Sequence, residues 1–154
     1  MDITEGAKAP AFDMATADGG RVSLEGLKGR KVVLYFYPKA DTPGCTTEAQ
    51  DFSALIEDFE TAGATVIGVS RDPVKKLDRF KAKHDLKVVL ASDEPEDVTL
   101  AWGVWVEKKL YGREYMGIER TTFLIDGDGV VRRVWRKVSV KGHAAEVLTA
   151  AQSL

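Results

Sequence analysis

The sequence predicts an α/β domain whose sheet is partly parallel and ends in an antiparallel hairpin. Two apolar, β-branched runs, Lys31–Tyr37 and Ala64–Ser70, are each followed by a segment with helical periodicity. Further along, the turn sequence Asp126–Gly129 separates two more strand patterns, which is typical of a β-hairpin. Strands that alternate with helices pair in parallel, whereas a short turn forces antiparallel pairing. The length of 154 residues suits one domain, expected over 1–154.

The N-terminal part is predicted to be a β-hairpin extension ahead of the central strands. Short strand-like pieces lie near Ala11–Met14 and Arg21–Leu24, and Asp18-Gly19-Gly20 between them is a turn sequence. The run Lys31–Tyr37 follows. Its continuous apolar character is expected of a strand that is buried on both faces.

A helix is predicted over residues 43–61. Five apolar residues share one face at helical spacing: Ala49, Phe52, Leu55, Ile56 and Phe59. Two starts fit the sequence. Either Thr42 is the N-cap and Pro43 the first helical residue, or Thr47 and Gln50 form a capping box. The first is preferred, because a proline at the first helical position loses no hydrogen bond.

The remaining elements are predicted from turn signals and periodicity. In order they are a helix from Asp72-Pro73 to about His84, a strand at Lys87–Ala91, a helix from Asp93 and Pro95 to Gly103, strands at Thr121–Ile125 and Val130–Trp135, and a helix over Gly142–Leu154. Residues 104–120 are assigned to no element. Lys108-Lys109 is interpreted as part of a solvent-exposed face, and His84 and His143 as structural residues.

Composition argues against several classes of function. The chain has 22 basic and 24 acidic residues, so no basic excess would attract nucleic acid or an anionic membrane. No apolar run approaches the ~20 residues that span a bilayer, and no signal pattern is visible, so a cytoplasmic location is expected. The single cysteine can form neither an internal disulfide nor a zinc site built of several thiolates. Neither a metal nor another cofactor is expected.

That cysteine, Cys45, lies where a strand turns into a helix. With the preferred cap it falls in the first helical turn, where unpaired N–H groups and the positive end of the helix dipole favour a thiolate. A nearby cation would favour it further. Arg71 follows one buried strand and Arg120 precedes another, and the residues alone do not choose between them.

The segment Pro38-Lys39-Ala40-Asp41-Thr42-Pro43-Gly44-Cys45 resembles the active-site motif of peroxiredoxins: Pro, three residues, Thr, two residues, Cys. Longer stretches resemble the bacterioferritin-comigratory or peroxiredoxin Q subfamily: Tyr35–Thr47, Tyr111–Asp126, and Trp135-Arg136-Lys137-Val138 with Gly142-His143-Ala144. The resemblance runs in order over nearly the whole chain. It implies a thioredoxin-like fold, with a central mixed sheet between helices, and a thiol-dependent peroxidase of hydrogen peroxide and organic hydroperoxides.

The resemblance also implies a role for each site residue. Cys45 would be the peroxidatic nucleophile that becomes a sulfenic acid. Arg120 would favour its thiolate and stabilise the charge that moves along the O–O bond. Glu48 would orient this arginine.

Three further residues would shape the substrate site. Thr42 would hydrogen-bond the peroxide, with the backbone N–H of Cys45 as a second donor. Gly44 would allow the substrate to approach closely. Pro38 would pack over the sulfur and restrict water.

The chain departs from the family at the second cysteine. Many relatives carry this resolving cysteine at the position of Gln50, and others near Lys81, but this chain has no thiol at either place. Turnover would therefore need an outside thiol: thioredoxin, glutaredoxin with glutathione, another small thiol, or Cys45 of a second chain. A monomer or weak dimer is expected.

Two other functions are considered. A disulfide reductase is disfavoured because Thr42 stands where a Cys-x-x-Cys pair would need its first cysteine. A redox sensor, in which oxidation of Cys45 switches a partner contact, is separated from an enzyme by turnover.

Overall fold

The computed structural model describes residues 3–154, which contain nine strands, five α-helices and two short 3-10 helices. The strands are β1 (Asp13–Thr16), β2 (Arg21–Ser23), β3 (Lys31–Phe36), β4 (Ala64–Ser70), β5 (Val89–Ser92), β6 (Trp105–Leu110), β7 (Arg113–Ile118), β8 (Thr121–Ile125) and β9 (Val131–Trp135). The helices are α1 (Pro43–Ala54), α2 (Ile56–Thr61), α3 (Val74–His84), α4 (Val98–Ala101) and α5 (His143–Gln152). None of the helices within this described part is long and apolar enough to cross a membrane.

Seven strands form one mixed sheet in the order β2-β1-β5-β4-β3-β8-β9. The central strands β3, β4 and β5 are parallel. On one side β8 pairs antiparallel with β3, and β9 with β8. On the other side β1 pairs antiparallel with β5, so the N-terminal hairpin extends the same sheet. The predicted mixed sheet is confirmed.

The two faces of β3 pack into different halves of the core. Val33 and Tyr35 contribute to a cluster that includes apolar residues of α1, α2, α3 and α5. Val32 and Leu34 point the other way, into a cluster that contains Trp102. Side chains alternate between the faces of a strand, and here both faces are covered. That is why this strand is apolar from Val32 to Phe36.

The predicted N-terminal hairpin is confirmed with a shift in its first strand. That strand begins at Asp13 rather than near Ala11, and Asp13 pairs with Ser23 across the hairpin. The turn places Asp18 and Gly19 at φ 73° and 81°. Aspartate and glycine tolerate this left-handed backbone, so the turn sequence is suited to the turn that it forms.

The helix predicted over 43–61 is two helices that meet at Leu55, whose φ of −103° and ψ of 9° interrupt the first. No proline or glycine lies between Asp51 and Thr61 to mark the break. The helix predicted from Asp93 to Gly103 is also too long, because only four residues in its second half are helical.

Asp93 nevertheless caps the N-terminus of α4. Its buried carboxylate accepts hydrogen bonds from the backbone N–H groups of Val98 and Thr99, at 3.1 and 2.8 Å. These groups have no partner inside the helix, so a side chain from outside must satisfy them. The intervening residues form turns, and Glu96 there has a φ of 67°.

The hairpin of β6 and β7 is not predicted by the sequence pattern. It forms a separate two-stranded sheet, in which Lys108 pairs with Tyr115. Most of its residues are exposed or half-buried, so it lacks the apolar alternation that marks a strand. Its turn consists of Tyr111 and Gly112, at φ 51° and 76°, where Asn-Gly would have been the recognisable signal.

His143 at the start of α5 gives the fold a pH dependence. The ring is buried, and its Nε2 lies 2.8 Å from Thr122 Oγ1. Burial lowers the pKa of His143 to about 4, from an ordinary value of 6.5. The unfolded chain therefore binds the extra proton first, and the free energy of unfolding should fall as the pH drops from about 6.5 to 4. We expect a loss on the order of 2 kcal/mol, after allowance for solvent screening.

Urea unfolding at a series of pH values measures this loss. His143→Gln should flatten the profile between these pH values, because glutamine carries no titratable group. An equally steep profile in the variant would assign the effect to other residues.

Candidate active site

The site begins at the end of β3, where the chain crosses to α1. Thr42 is extended, with φ −93° and ψ 157°, and Pro43 is the first helical residue, which confirms the preferred start. The Thr42 hydroxyl makes no cap bond and instead donates to the Lys39 carbonyl at 2.8 Å. Thr47 donates its hydroxyl to the Pro43 carbonyl within the helix, so the competing capping box is wrong.

Strand pairing brings Arg120 to the same place. In the sheet Phe36 lies opposite Thr121, so the residue before β8 lies beside the loop that follows β3. Arg120 Nη2 donates to Cys45 Sγ at 3.3 Å, although the two residues are 75 apart in the chain. Cys45 is only 2% exposed. The sulfur is therefore a buried group with a cation directly against it.

The other candidate cation, Arg71, is engaged elsewhere. Its Nε donates to Thr99 Oγ1 at 2.8 Å, and its guanidinium lies 3.5 Å from the centre of the Trp105 ring. It also pairs with Glu96. Arg120, rather than Arg71, is therefore the arginine that contacts the Cys45 sulfur.

Glu48 binds the other terminal nitrogen of the Arg120 guanidinium. It lies one turn after Cys45 on α1, and its Oε1 accepts a hydrogen bond from Arg120 Nη1 at 2.7 Å. Glu48 is 1% exposed, and its Oε2 has no hydrogen-bond partner within residues 3–154. Burial raises the pKa of Glu48 to about 7, against the opposing charge of Arg120.

Arg120 itself stays charged. Burial opposes its charge, but Glu48 and Cys45 outweigh that effect, so the pKa of Arg120 is raised. One guanidinium therefore joins a buried carboxylate to the sulfur, and its direction is fixed by two contacts.

Two buried tyrosines from β3 and the residue after it lie under this cluster. The rings of Tyr35 and Tyr37 are 5.7 Å apart, and the Tyr35 hydroxyl has no hydrogen-bond partner in the described part of the chain. Burial raises the pKa of both, so the hydroxyls are neutral. The sequence predicts them only as strand residues. The sequence held one signal, which is tyrosine rather than phenylalanine in a strand predicted to be buried. A buried tyrosine hydroxyl usually has a hydrogen-bond partner, whereas phenylalanine needs none.

The interpretation of Lys108-Lys109 as part of a solvent-exposed face is wrong for Lys108. Lys109 is exposed and pairs with Glu114 at 3.6 Å, as expected of a solvated face. Lys108 is half-buried on the other face of the hairpin. Burial and the charge of Arg120 lower the pKa of Lys108, and the charge of Cys45 opposes them. The alternation of a strand separates these adjacent lysines, and it became visible only once the hairpin was known.

Two other predicted site residues, Pro38 and Gly44, are exposed. Pro38 is exposed in the loop between β3 and α1. Gly44 is exposed in the first turn of α1, where an added Cβ would stand 3.3 Å from Arg120 Nη2. Within residues 3–154, no group of three or more His, Cys, Asp and Glu side chains is arranged to hold a metal ion.

Gly44→Ala is expected to slow any reaction of Cys45 without unfolding the protein. The new methyl group would displace the guanidinium by a few tenths of an ångström, and we expect a loss of about 3- to 10-fold in the oxidation rate. Stability should be unchanged or slightly higher, because alanine is the better helix former. Stopped-flow oxidation and urea unfolding measure the two effects.

A double-variant cycle controls this prediction. In an Arg120→Met background, Gly44→Ala should have little further effect, because the group that it displaces is gone. A full additional loss in that background would mean that Gly44 acts in another way.

The positions that hold a resolving cysteine in many relatives have no thiol partner for Cys45. Gln50 is exposed on α1. Lys81 on α3 pairs with Asp18 at 3.2 Å. Cys45 is the one cysteine of the chain, and it is free.

Comparison with known proteins identifies the family. The model of the AhpC/TSA family matches residues 6–134. The peroxiredoxin Bcp of Bacillus subtilis is 49% identical over 96% of this chain and 94% of its own. The solved structure of the bacterioferritin comigratory protein of Xanthomonas campestris is 45% identical, with a TM-score of 0.88, over 92% of this chain and 90% of that chain.

A peroxiredoxin Q structure from Xylella fastidiosa superposes with a TM-score of 0.94 at 37% identity, over 99% of this chain and 98% of that chain. This agreement confirms the predicted thioredoxin-like fold. The chain therefore belongs to the AhpC/TSA family, in which it is a thiol-dependent peroxidase of the bacterioferritin-comigratory or peroxiredoxin Q subfamily with a single cysteine.

Proposed function

We propose that Cys45 reduces hydrogen peroxide and organic hydroperoxides and is returned to the thiolate by an external thiol. The observation that carries this proposal is the contact of Arg120 with the sulfur at 3.3 Å, held in direction by Glu48 at 2.7 Å. A guanidinium cannot lose its charge in a protein, so it favours the thiolate, which is the reactive form of cysteine.

In the first half-reaction the thiolate attacks one peroxide oxygen in line with the O–O bond. An S–O bond forms and the O–O bond breaks. The leaving oxygen takes up a proton and departs as water or an alcohol. Cys45 loses two electrons and becomes a sulfenic acid. Arg120 is placed to stabilise negative charge as it moves from sulfur to the leaving oxygen.

Other residues would bind the peroxide. The hydroxyl proton of Thr42 is used by the Lys39 carbonyl, so Thr42 would accept a hydrogen bond from the peroxide rather than donate one. The N–H groups of Gly44 and Cys45 lie in the first turn of α1, where helix geometry provides no partner, and would donate. Pro38 at the rim would limit the entry of water.

In the second half-reaction a thiol attacks the sulfenic sulfur, releases water and forms a mixed disulfide. A second thiol then frees Cys45 and leaves as the other half of a disulfide. With Gln50 and Lys81 at the places of a resolving cysteine, both thiols come from outside. Thioredoxin, glutaredoxin with glutathione, and another small thiol are the candidate reductants, and Cys45 of a second chain could supply one of the two sulfurs.

Further properties belong to the same proposal. The Xanthomonas campestris relative is described as having alkyl peroxide reduction activity, which supports alkyl hydroperoxides as substrates here. We propose that residues 1–154 form one domain, that the enzyme needs no cofactor, and that it works in the cytoplasm as a monomer or weak dimer.

Rapid mixing of the reduced protein with hydrogen peroxide tests the proposal. Cys45 should be oxidised far faster than free cysteine at the same pH, and mass spectrometry after dimedone trapping should locate the sulfenic acid there. Coupled assays with thioredoxin, with glutaredoxin and glutathione, and with dithiothreitol then identify the reductant. Oxidation no faster than that of free cysteine would refute the peroxidase function.

A further inference from the structure

The hairpin of β6 and β7 carries a cation next to the active site. Its register places Lys108 opposite Tyr115 and Val106 opposite Gly117, so these residues share one face. The charges of Arg120 and Cys45 shift the pKa of Lys108 in opposite directions. Arg120 follows β7 after a single intervening residue, so the hairpin and the site are joined covalently as well.

Gly117 fixes the path of the Lys108 side chain. An added Cβ at Gly117 would lie 3.2 Å from Lys108 Cδ and 3.4 Å from its Cε. The lysine methylenes therefore lie across the glycine, in space that any other residue would fill. The stem of Lys108 is therefore packed against the hairpin.

Lys108 has no ion pair within residues 3–154. Its neighbour Lys109 pairs with Glu114 at 3.6 Å on the opposite face. Glu119 is an acidic side chain that acts on Lys108, but its carboxylate lies 3.8 Å from Arg136 and accepts a hydrogen bond from Thr121. A half-buried cation that lacks a partner is a place for an anion that arrives with a ligand.

Arg120 is poorly placed to take that anion. Its two terminal nitrogens are already directed at Glu48 and at the sulfur. A substrate that presents its reacting atom to Cys45 and also carries a negative group would meet two cations on this face, Lys108 and Arg113. Lys108 is the nearer to the site along the hairpin, since it pairs with Tyr115, five residues before Arg120, whereas Arg113 lies seven residues before it. Tyr115 and Leu110, 46% and 54% exposed on the same face, offer apolar contact to a carbon chain.

We propose that Lys108 binds the carboxylate of substrates that approach Cys45, and so makes the enzyme prefer acidic hydroperoxides or acidic thiols over neutral ones. This role rests on the proposed function, because it requires that such substrates react at the sulfur. The shared chemistry is a carboxylate, and its source is the oxidant in one half-reaction and the reductant in the other.

Matched pairs of probes separate the two sources. For oxidation, the hydroperoxide of a short branched carboxylic acid is compared with its methyl ester. For reduction, the sulfenic form of the enzyme is mixed with mercaptopropionic acid or with its methyl ester. Hydrogen peroxide is the reference for intact chemistry at Cys45. Rate constants are measured by stopped flow in each case.

Lys108→Gln should slow the acidic probe by about 10-fold more than the matching ester in at least one half-reaction, as expected for loss of one charged hydrogen bond. The rate with hydrogen peroxide corrects for the effect of the lost charge on Cys45. Lys108→Arg should keep most of the preference. Lys109→Gln is the control, since it removes an exposed charge from the other face. Thermal unfolding checks that the variants are folded.

Equal slowing of acid and ester, or no slowing of either probe in both half-reactions, would overturn the role of Lys108 while leaving the peroxidase function in place. Equal slowing would mean that the lysine acts only on the ionisation of the sulfur. Slow oxidation of the unaltered enzyme by hydrogen peroxide would overturn the proposed function, and this role with it.

Discussion

Cys45→Ser is expected to abolish peroxide reduction while the protein remains folded. A serine hydroxyl is almost entirely protonated at neutral pH and is a far weaker nucleophile than a thiolate, so the rate should fall by more than about 10⁴-fold. The chain has no other cysteine to replace it. Peroxide consumption in the presence of dithiothreitol measures the loss.

The stability of this variant is the control. Serine is close to cysteine in size, and its oxygen can accept the hydrogen bond that Arg120 Nη2 gives to the sulfur. The free energy of unfolding should therefore change by no more than about 1 kcal/mol. Residual activity within tenfold of the unaltered enzyme would place the chemistry at another group.

Arg120→Met should reduce the rate of oxidation by hydrogen peroxide by about 10²- to 10³-fold, the usual effect of removing one group that stabilises charge in a transition state. Two causes contribute: the thiolate loses its cation, and the leaving oxygen loses its stabilising charge. Ultraviolet absorbance of the thiolate across a pH series separates them. A defect that persists when the thiol is fully ionised belongs to the transition state.

Arg120→Met should also make the free energy of unfolding depend on the pH, because it removes the cation that faces Glu48. Its carboxyl is 1% exposed and already has a pKa of about 7 because of burial, so without Arg120 the charged form would be buried unpaired. A raised folded pKa gives stability that is present at low pH and is lost as the pH rises through that value. At pH 8 we expect a loss of about 3 kcal/mol, and much less at pH 6.

The double variant Arg120→Met with Glu48→Gln tests this account. It should recover most of the stability at high pH, because no buried charge remains, but none of the activity. Recovery of activity would show that Arg120 serves only to neutralise Glu48. Equal destabilisation at both pH values would mean that packing, rather than charge, was lost.

Much of the fold could be predicted because its central strands are buried on both faces. The run Ala64–Ser70 has the predicted ends, since an apolar run bounded by Gly63 and Arg71 leaves little choice. The β6–β7 hairpin could not be predicted in the same way. Its strands are mostly solvated, so the polar pattern of a strand and that of a loop are alike.

The site was predictable only in part. The first turn of α1 is a local feature, and Thr42-Pro43 was enough to place Cys45 in it. The partner cation is 75 residues away, and its position depends on how β3 and β8 pair. Arg71 and Arg120 both stand beside strands, so the resemblance, rather than a local pattern, favoured Arg120. Lys108 could not be recognised for a similar reason. Lys108 and Lys109 lie on opposite faces of β6, and the sequence does not predict that strand.

The loop before α1 is fastened to helix α3, since Asp41 lies 2.9 Å from both Lys83 Nζ and His84 Nε2. Hydrogen bonds from His84 and Lys83 lower the pKa of Asp41. These contacts join the loop that carries Thr42 to a helix outside the site and so restrict the motion of that loop. Strengthening them should raise the melting temperature of the protein.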